Sequence, residues 1–167
     1  QHPVALSTIK NLKNLSPDYW EVNRVEAFIR SFTDETSIVL DIYEQAIRQA
    51  PNPKEIARVK YFLAQYLKKS SAPDALTRAY DTAKECYKIT PDSEILHLMG
   101  SIEVQLGYFD QAIENIKKSL FVKNTRSLLI HTTSLVTAYR RYAEFKFVHE
   151  KNYKEALELL NESFLQF

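Results

Sequence analysis

The stretch LGYFDQAIENIKKSL (Leu106–Leu120) carries Phe109, Ala112, Ile113, Ile116 and Leu120 at offsets of 0, 3, 4, 7 and 11. That spacing is one face of an α-helix. Asp110, Glu114, Lys117 and Lys118 fall off the face, and Glu114 reaches Lys118 across one turn. The same template fits Tyr153, Ala156, Leu157, Leu160 and Phe164. It fits Leu76, Ala79, Tyr80, Ala83 and Tyr87, and, with a polar start, Thr36, Val39, Leu40, Tyr43 and Ile47. Ten positions after each start the residue is small: Ala46, Cys86, Ser119 and Ser163. The copies are 40, 33 and 44 residues apart, so the chain is a repeat.

Other amphipathic stretches alternate with these copies. Pro17–Ser31 carries Val25, Phe28 and Ile29, with Phe32 just beyond; Ser16 is expected as its N-cap and Pro17 as its first residue. Pro53–Lys68 carries Ile56, Val59, Leu63 and Leu67; Asp92–Leu106 carries Leu96, Met99, Ile102 and Leu106, with Gly107 as the expected stop. Pro51 and Pro91 each end a template helix. Thr125–Glu150 has no Pro or Gly and reads as one helix of about 25 residues, about 37 Å long. Its run HTTSLVT (His131–Thr137) is the alternative place for a break. His2–Leu15 reads as one further helix.

In SEILHLMGSIEVQLGYFDQAIENIKKSLFVKN (Ser93–Asn124), the positions Leu96, Met99, Gly100, Gly107, Tyr108, Phe109, Ala112, Ile116 and Ser119 resemble the tetratricopeptide repeat (TPR) family, with Asn124 where Pro is usual. Gly100 and Ala112 are small where two helices must come closest. The resemblance is good in this unit and fair in the second helix of the others. The 40- and 44-residue intervals depart from the family's period, which places extra residues near Lys68–Asp74 and in a lengthened first helix of the last unit. It implies an all-α, right-handed solenoid of stacked antiparallel helix pairs. The expected organisation is an N-terminal helix over 1–16 and four pairs over 17–51, 53–91, 92–124 and 125–167. A start at Gln1 rather than Met reads as a piece of a longer chain.

Composition fits that reading. Among 167 residues there are two glycines, too few for a turn-rich β fold or a glycine-rich phosphate loop. The net charge of +1 gives no global reason to expect nucleic acid, although residues 51–91 hold eight Lys/Arg against four Asp/Glu. One cysteine, Cys86, excludes an internal disulfide and fits a reducing compartment, so the expected location is cytoplasmic. No run of 18 apolar residues suggests a membrane span.

Nothing in the sequence assembles a reaction centre. Cys86 stands at a small, inward template position and reads as a core filler. His97, His131 and His149 show no metal-ligand spacing, and HEKNY at His149 lacks the second histidine of a zinc-protease helix. Asp41 and Glu44 lie on a polar face where Glu44 can pair with Arg48. No catalytic residue, metal or cofactor is expected. The candidate partner-binding residues lie in AYRRYAEFK (Ala138–Lys146): Tyr139, Arg140, Arg141, Tyr142 and Lys146 interleave charge and aromatic surface. Tyr61 is a further aromatic off the template. The carboxylate-clamping subclass of the family wants Lys and Asn on consecutive first helices, and Glu21, His97 and Leu98 stand there instead. The expected function is a non-catalytic scaffold or sensor segment that binds a protein, a peptide or further repeats of its own chain. The alternatives are a ligand-responsive sensor of a signalling ATPase or peptide-sensing regulator, and an RNA-binding helical repeat.

Overall fold

The computed structural model describes residues 2–121 and 125–166. Asn124, where the family usually has Pro, lies outside them. Among the described residues there are nine helices and no strand: α1 (His2–Leu15), α2 (Trp20–Arg30), α3 (Thr36–Gln49), α4 (Pro53–Lys69), α5 (Ala75–Ile89), α6 (Ser93–Leu106), α7 (Phe109–Ser119), α8 (Thr125–Val148) and α9 (Tyr153–Phe164). They form two compact units, Gln1–Thr90 and Pro91–Phe167. Within the first, α2 pairs with α3 and α4 with α5; within the second, α6 pairs with α7 and α8 with α9. In each unit the first helix of the later pair, α4 or α8, packs on both helices of the earlier pair.

In the first unit, α2 corrects the sequence reading twice. It begins at Trp20 rather than Pro17, with Tyr19 at the N-cap. Pro17 sits instead in a turn closed by the Tyr19 N–H donating to the Ser16 carbonyl (3.3 Å), where proline's fixed φ suits the second position. The inward face is Trp20, Val22, Asn23, Glu26 and Ala27, not Val25, Phe28, Ile29 and Phe32. Both buried polar residues have partners, although the Asn23 amide oxygen is buried without one among the described residues. Asn23 donates to Gln49 of α3. Glu26 pairs with Lys13 of α1 and with Arg30 at 2.8 Å.

That Glu26 cluster pins α1, whose Ile9 is its one buried apolar residue among those described. Burial, the largest single influence, pulls the Glu26 carboxyl upward, but hydrogen bonds from Lys13 and Arg30 outweigh it and hold the group below its ordinary value. A depressed folded-state value contributes stability that is present above the unfolded glutamate range, about 4.3, and is lost as pH falls through the folded value. The parent is therefore expected to exceed Glu26→Gln in denaturant midpoint at neutral pH, and the gap to close on acidification. A gap independent of pH would show that the carboxylate is not what holds α1.

Pro53 stands at the start of α4 behind Asn52, whose side chain accepts from the Glu55 N–H (3.0 Å), an N-cap arrangement. Ala50 and Thr90, each preceding a proline, are extended (ψ 128° and 92°) and end α3 and α5. Cys86 is buried, and its thiol donates to the Ala57 carbonyl of α4 (3.0 Å).

In the second unit, Asp92 caps α6 through the Glu94 N–H (2.7 Å). Gly107, at φ 81°, ends it in the left-handed conformation; its N–H reaches Val104 O (3.3 Å), and Tyr108 N–H reaches Glu103 O (2.9 Å). The close approach expected between Gly100 and Ala112 is present: a Cβ at position 100 would stand 3.0 Å from the Ala112 carbonyl oxygen and 2.5 Å from Ile116 Cγ1. Asn115 donates to both carboxylate oxygens of the buried Glu103 (2.9 and 2.8 Å), a second tie between α6 and α7.

Helix α8 runs 24 residues without a break. The HTTSLVT run stays helical, and two of its threonines turn their hydroxyls back onto the helix, Thr133 to Leu129 O and Thr137 to Thr133 O, each at 2.9 Å. At about 36 Å it outruns the 14-residue α6, and Leu128, Leu129 and Ile130 near its start are exposed. Among the described residues no helix is long and apolar enough to cross a membrane.

Candidate functional site

The five residues singled out from the sequence share α8 but do not share a surface. Tyr139 is buried, in a cluster with Ile116, Leu135 and Ala138 against which Ile113, Leu120 and Leu159 pack. It is core, because the side chain one helical face away from Arg140 points at α7. Tyr142 is half-buried; its ring stacks on Phe109 (5.0 Å, 15°) and its hydroxyl donates to Asp110 (3.3 Å). Lys146 is half-buried too, with Nζ 2.9 Å from Glu150 and 3.2 Å from Glu155. Its hydrogen bond to Glu150 holds the ammonium above the usual lysine range against the cost of desolvation, and Glu155 and Tyr142 add to it. Lys146 thus ties α8 to α9. Only Arg140 and Arg141 are exposed, Arg141 beside Glu144 (3.1 Å).

Those two arginines line a cleft of about 630 Å³ between α8 and α9, together with Thr137, Glu144, Phe147 and Leu160. Its rim continues onto apolar surface. Phe147 contacts Tyr153 edge-on (5.1 Å), and Tyr153, Leu157, Phe164 and Leu165 are 58–75% exposed. Four of the five template positions of α9, Tyr153, Leu157, Leu160 and Phe164, are therefore exposed. In α7 the same positions are covered by α8: Ile116 lies in its core cluster, and Phe109 packs on Tyr142 and Phe145.

The structure also places two groups that the sequence reading did not single out. In the first unit, Phe28, Phe32, Tyr43, Phe62 and Tyr66 line a pocket of about 370 Å³ with Lys69 at its edge. Phe28 and Phe32 form an edge-on pair (5.2 Å) that is at least half exposed. Tyr61 is half-buried against Phe62 (5.6 Å). In the second unit, Glu94, His97 and His131 converge, with one ligand atom of each within 4.8 Å of the others. A signal for that cluster was present: Glu94 and His97 are three apart on one helix, and His131 follows His97 by 34 residues, one repeat later.

No family model matches the chain, and no curated protein matches it in sequence. Solved structures do. One crystal structure of MamA, a TPR-like helical-repeat protein, superposes at a TM-score of 0.58 and 14% identity, over 99% of this chain and 88% of that one. A second gives 0.59 and 14%, over 99% and 82%. At that identity the likeness shows the fold: this chain is an all-α protein of TPR-like helix pairs.

Proposed function

We propose that the chain is a non-catalytic protein- or peptide-binding scaffold built of four helix pairs, approximately 17–51, 53–91, 92–124 and 125–167. Its binding surface in the second unit is the α8–α9 cleft with the outer face of α9. The observation that carries this reading is the contrast between equivalent positions. Phe109, Ile113 and Ile116 of α7, with Leu120 at its C-cap, are packed under an amphipathic helix, whereas Tyr153, Leu157, Leu160 and Phe164 of α9 expose the same pattern. A contiguous exposed apolar face rimmed by charge marks an interaction site. The occupant that fits is an amphipathic helix of a partner protein, presenting an apolar stripe at i, i+3/i+4 and i+7 with acidic flanks toward Arg140 and Arg141. Tyr139 and Lys146, committed to the core and to Glu150 and Glu155, take no part in this surface.

Selection from a displayed library of amphipathic helical peptides tests this reading. Selected peptides are expected to share that stripe and acidic flanks. They should bind Arg140→Glu/Arg141→Glu and Leu157→Asp/Phe164→Asp at least about tenfold more weakly, a loss of about 1.4 kcal/mol. Light scattering alongside reads self-association, which would make the occupant a second copy rather than a partner. Undiminished affinity in both folded variants would remove this surface. Binding that survives salt distinguishes a helical peptide from RNA, whose affinity falls steeply with it.

A further inference from the structure

We propose that Glu94, His97 and His131 form a binding site for one divalent transition cation of the zinc class, which joins α6 to α8. His131 is a fully buried side chain. Its Nδ1 lies 2.9 Å from the carbonyl oxygen of Ser119, the last residue of α7. That oxygen can only accept, so Nδ1 carries a hydrogen, and the lone pair that a ligating ring offers a metal is the one at Nε2. Nε2 lies 3.4 Å from Glu94 Oε2. A lone pair and a carboxylate facing each other at that distance call for a positive charge between them, which a proton or a metal ion supplies.

Three features favour the metal. The 3.4 Å separation matches the edge of a tetrahedron with bonds of about 2.0–2.1 Å, the zinc–nitrogen and zinc–oxygen range. A third donor stands alongside: the His97 ring lies 4.1 Å from that of His131, nearly parallel at 13°, and no pair of the three ligand atoms is more than 4.8 Å apart. Binding requires the His97 ring to turn out of the stack, exchanging or keeping its contact with Ser134 Oγ (2.8 Å). The Ser119 carbonyl, finally, is the kind of outer partner that fixes a ligating histidine's tautomer and orientation.

Two imidazoles and one carboxylate select zinc or a neighbouring transition ion over magnesium or calcium, which prefer oxygen ligands. Glu94 is partly exposed, 45% for its side chain, and gives the ion a route in from solvent. Three protein ligands leave a fourth position for water. The consequence is mechanical: the ion ties the first turns of α6 to the part of α8 that passes the C-terminus of α7.

The test is calorimetric titration and thermal unfolding of the full chain, stripped with chelator, against zinc and magnesium chlorides. One zinc per chain and a raised melting temperature are expected, with no shift from magnesium. Glu94→Gln and His97→Gln, both at partly exposed positions, should fold and should weaken zinc binding by more than about tenfold. His149→Gln, at an exposed histidine outside the cluster, should leave it unchanged. Cobalt in place of zinc should give the strong visible absorption of a four-coordinate site in the parent and not in the Glu94→Gln/His97→Gln double variant. Zinc binding that is absent from the parent, or undiminished in that double variant, overturns the site and leaves a proton as the charge between His131 and Glu94.

Discussion

Ala112→Phe is expected to lower the stability of the second unit by about 1–3 kcal/mol, and Gly100→Ala to destabilise it as well, though less. Ala112 is fully buried and its backbone lies against Gly100. There is no volume there for a ring. Gly100→Ala sets two effects against each other. Alanine in a helix interior is favoured over glycine by about 1 kcal/mol, which at an exposed site would stabilise. Here the added Cβ would come within 2.5 Å of Ile116 Cγ1 and 3.0 Å of the Ala112 carbonyl oxygen. Ile116 cannot step aside, because it is itself fully buried against Leu135, Ala138 and Tyr139. The steric cost therefore wins and the sign is negative. Chemical denaturation of the full chain measures both variants. An Ala112→Phe protein that unfolds like the parent would show that the repeat register is misplaced.

Close local contacts of this kind make much of the fold legible in the sequence. The third position after each template start (Val39, Ala79, Ala112 and Ala156) and the tenth (Ala46, Cys86, Ser119 and Ser163) are buried in every copy. Contact with the preceding helix of the pair, as Ala112 makes with α6 and Cys86 with α4, limits their size, so a short window holds the information. What failed depended on residues farther away. Asn23 and Glu26 look like surface until Gln49 and Lys13 are brought to them. With the polar pair buried, Phe28 and Phe32 turn outward and line a pocket that periodicity had assigned to the core. At the Ser16–Tyr19 turn the sequence is ambiguous, because proline suits both the start of a helix and the second position of a turn. The histidine cluster needed the packing of α6 against α8. In the AYRRYAEFK stretch, composition alone could not say which aromatic faced inward.

Tyr139→Ala decides that last point with the larger effect: a loss of about 3–5 kcal/mol is expected, whereas Arg140→Ala, one residue on, should stay within about 0.5 kcal/mol of the parent. Tyr139 is 4% exposed and meets Ile116, Leu135 and Ala138. Lys117 Nζ also stands 5.5 Å from its ring centroid, adding a cation–π contact from α7. Removing the ring opens a cavity where α7 and α8 meet, and the long α8 cannot collapse into it while Tyr142 is held on Phe109 and Lys146 on Glu150 and Glu155. Tyr139→Phe keeps the ring and should retain most of the stability. Arg140 points into the α8–α9 cleft and carries no such packing. The two substitutions therefore separate the two roles that adjacent residues play on one helix. Tyr139→Ala should lower the denaturation midpoint, and any weakened peptide binding should follow from unfolding, recovering under conditions where the variant is folded. Arg140→Glu with Arg141→Glu should do the reverse, leaving the midpoint near the parent's and weakening binding. A Tyr139→Ala protein that is as stable as the parent but fails to bind would put the tyrosine back on the surface and move the binding face around α8 by one residue.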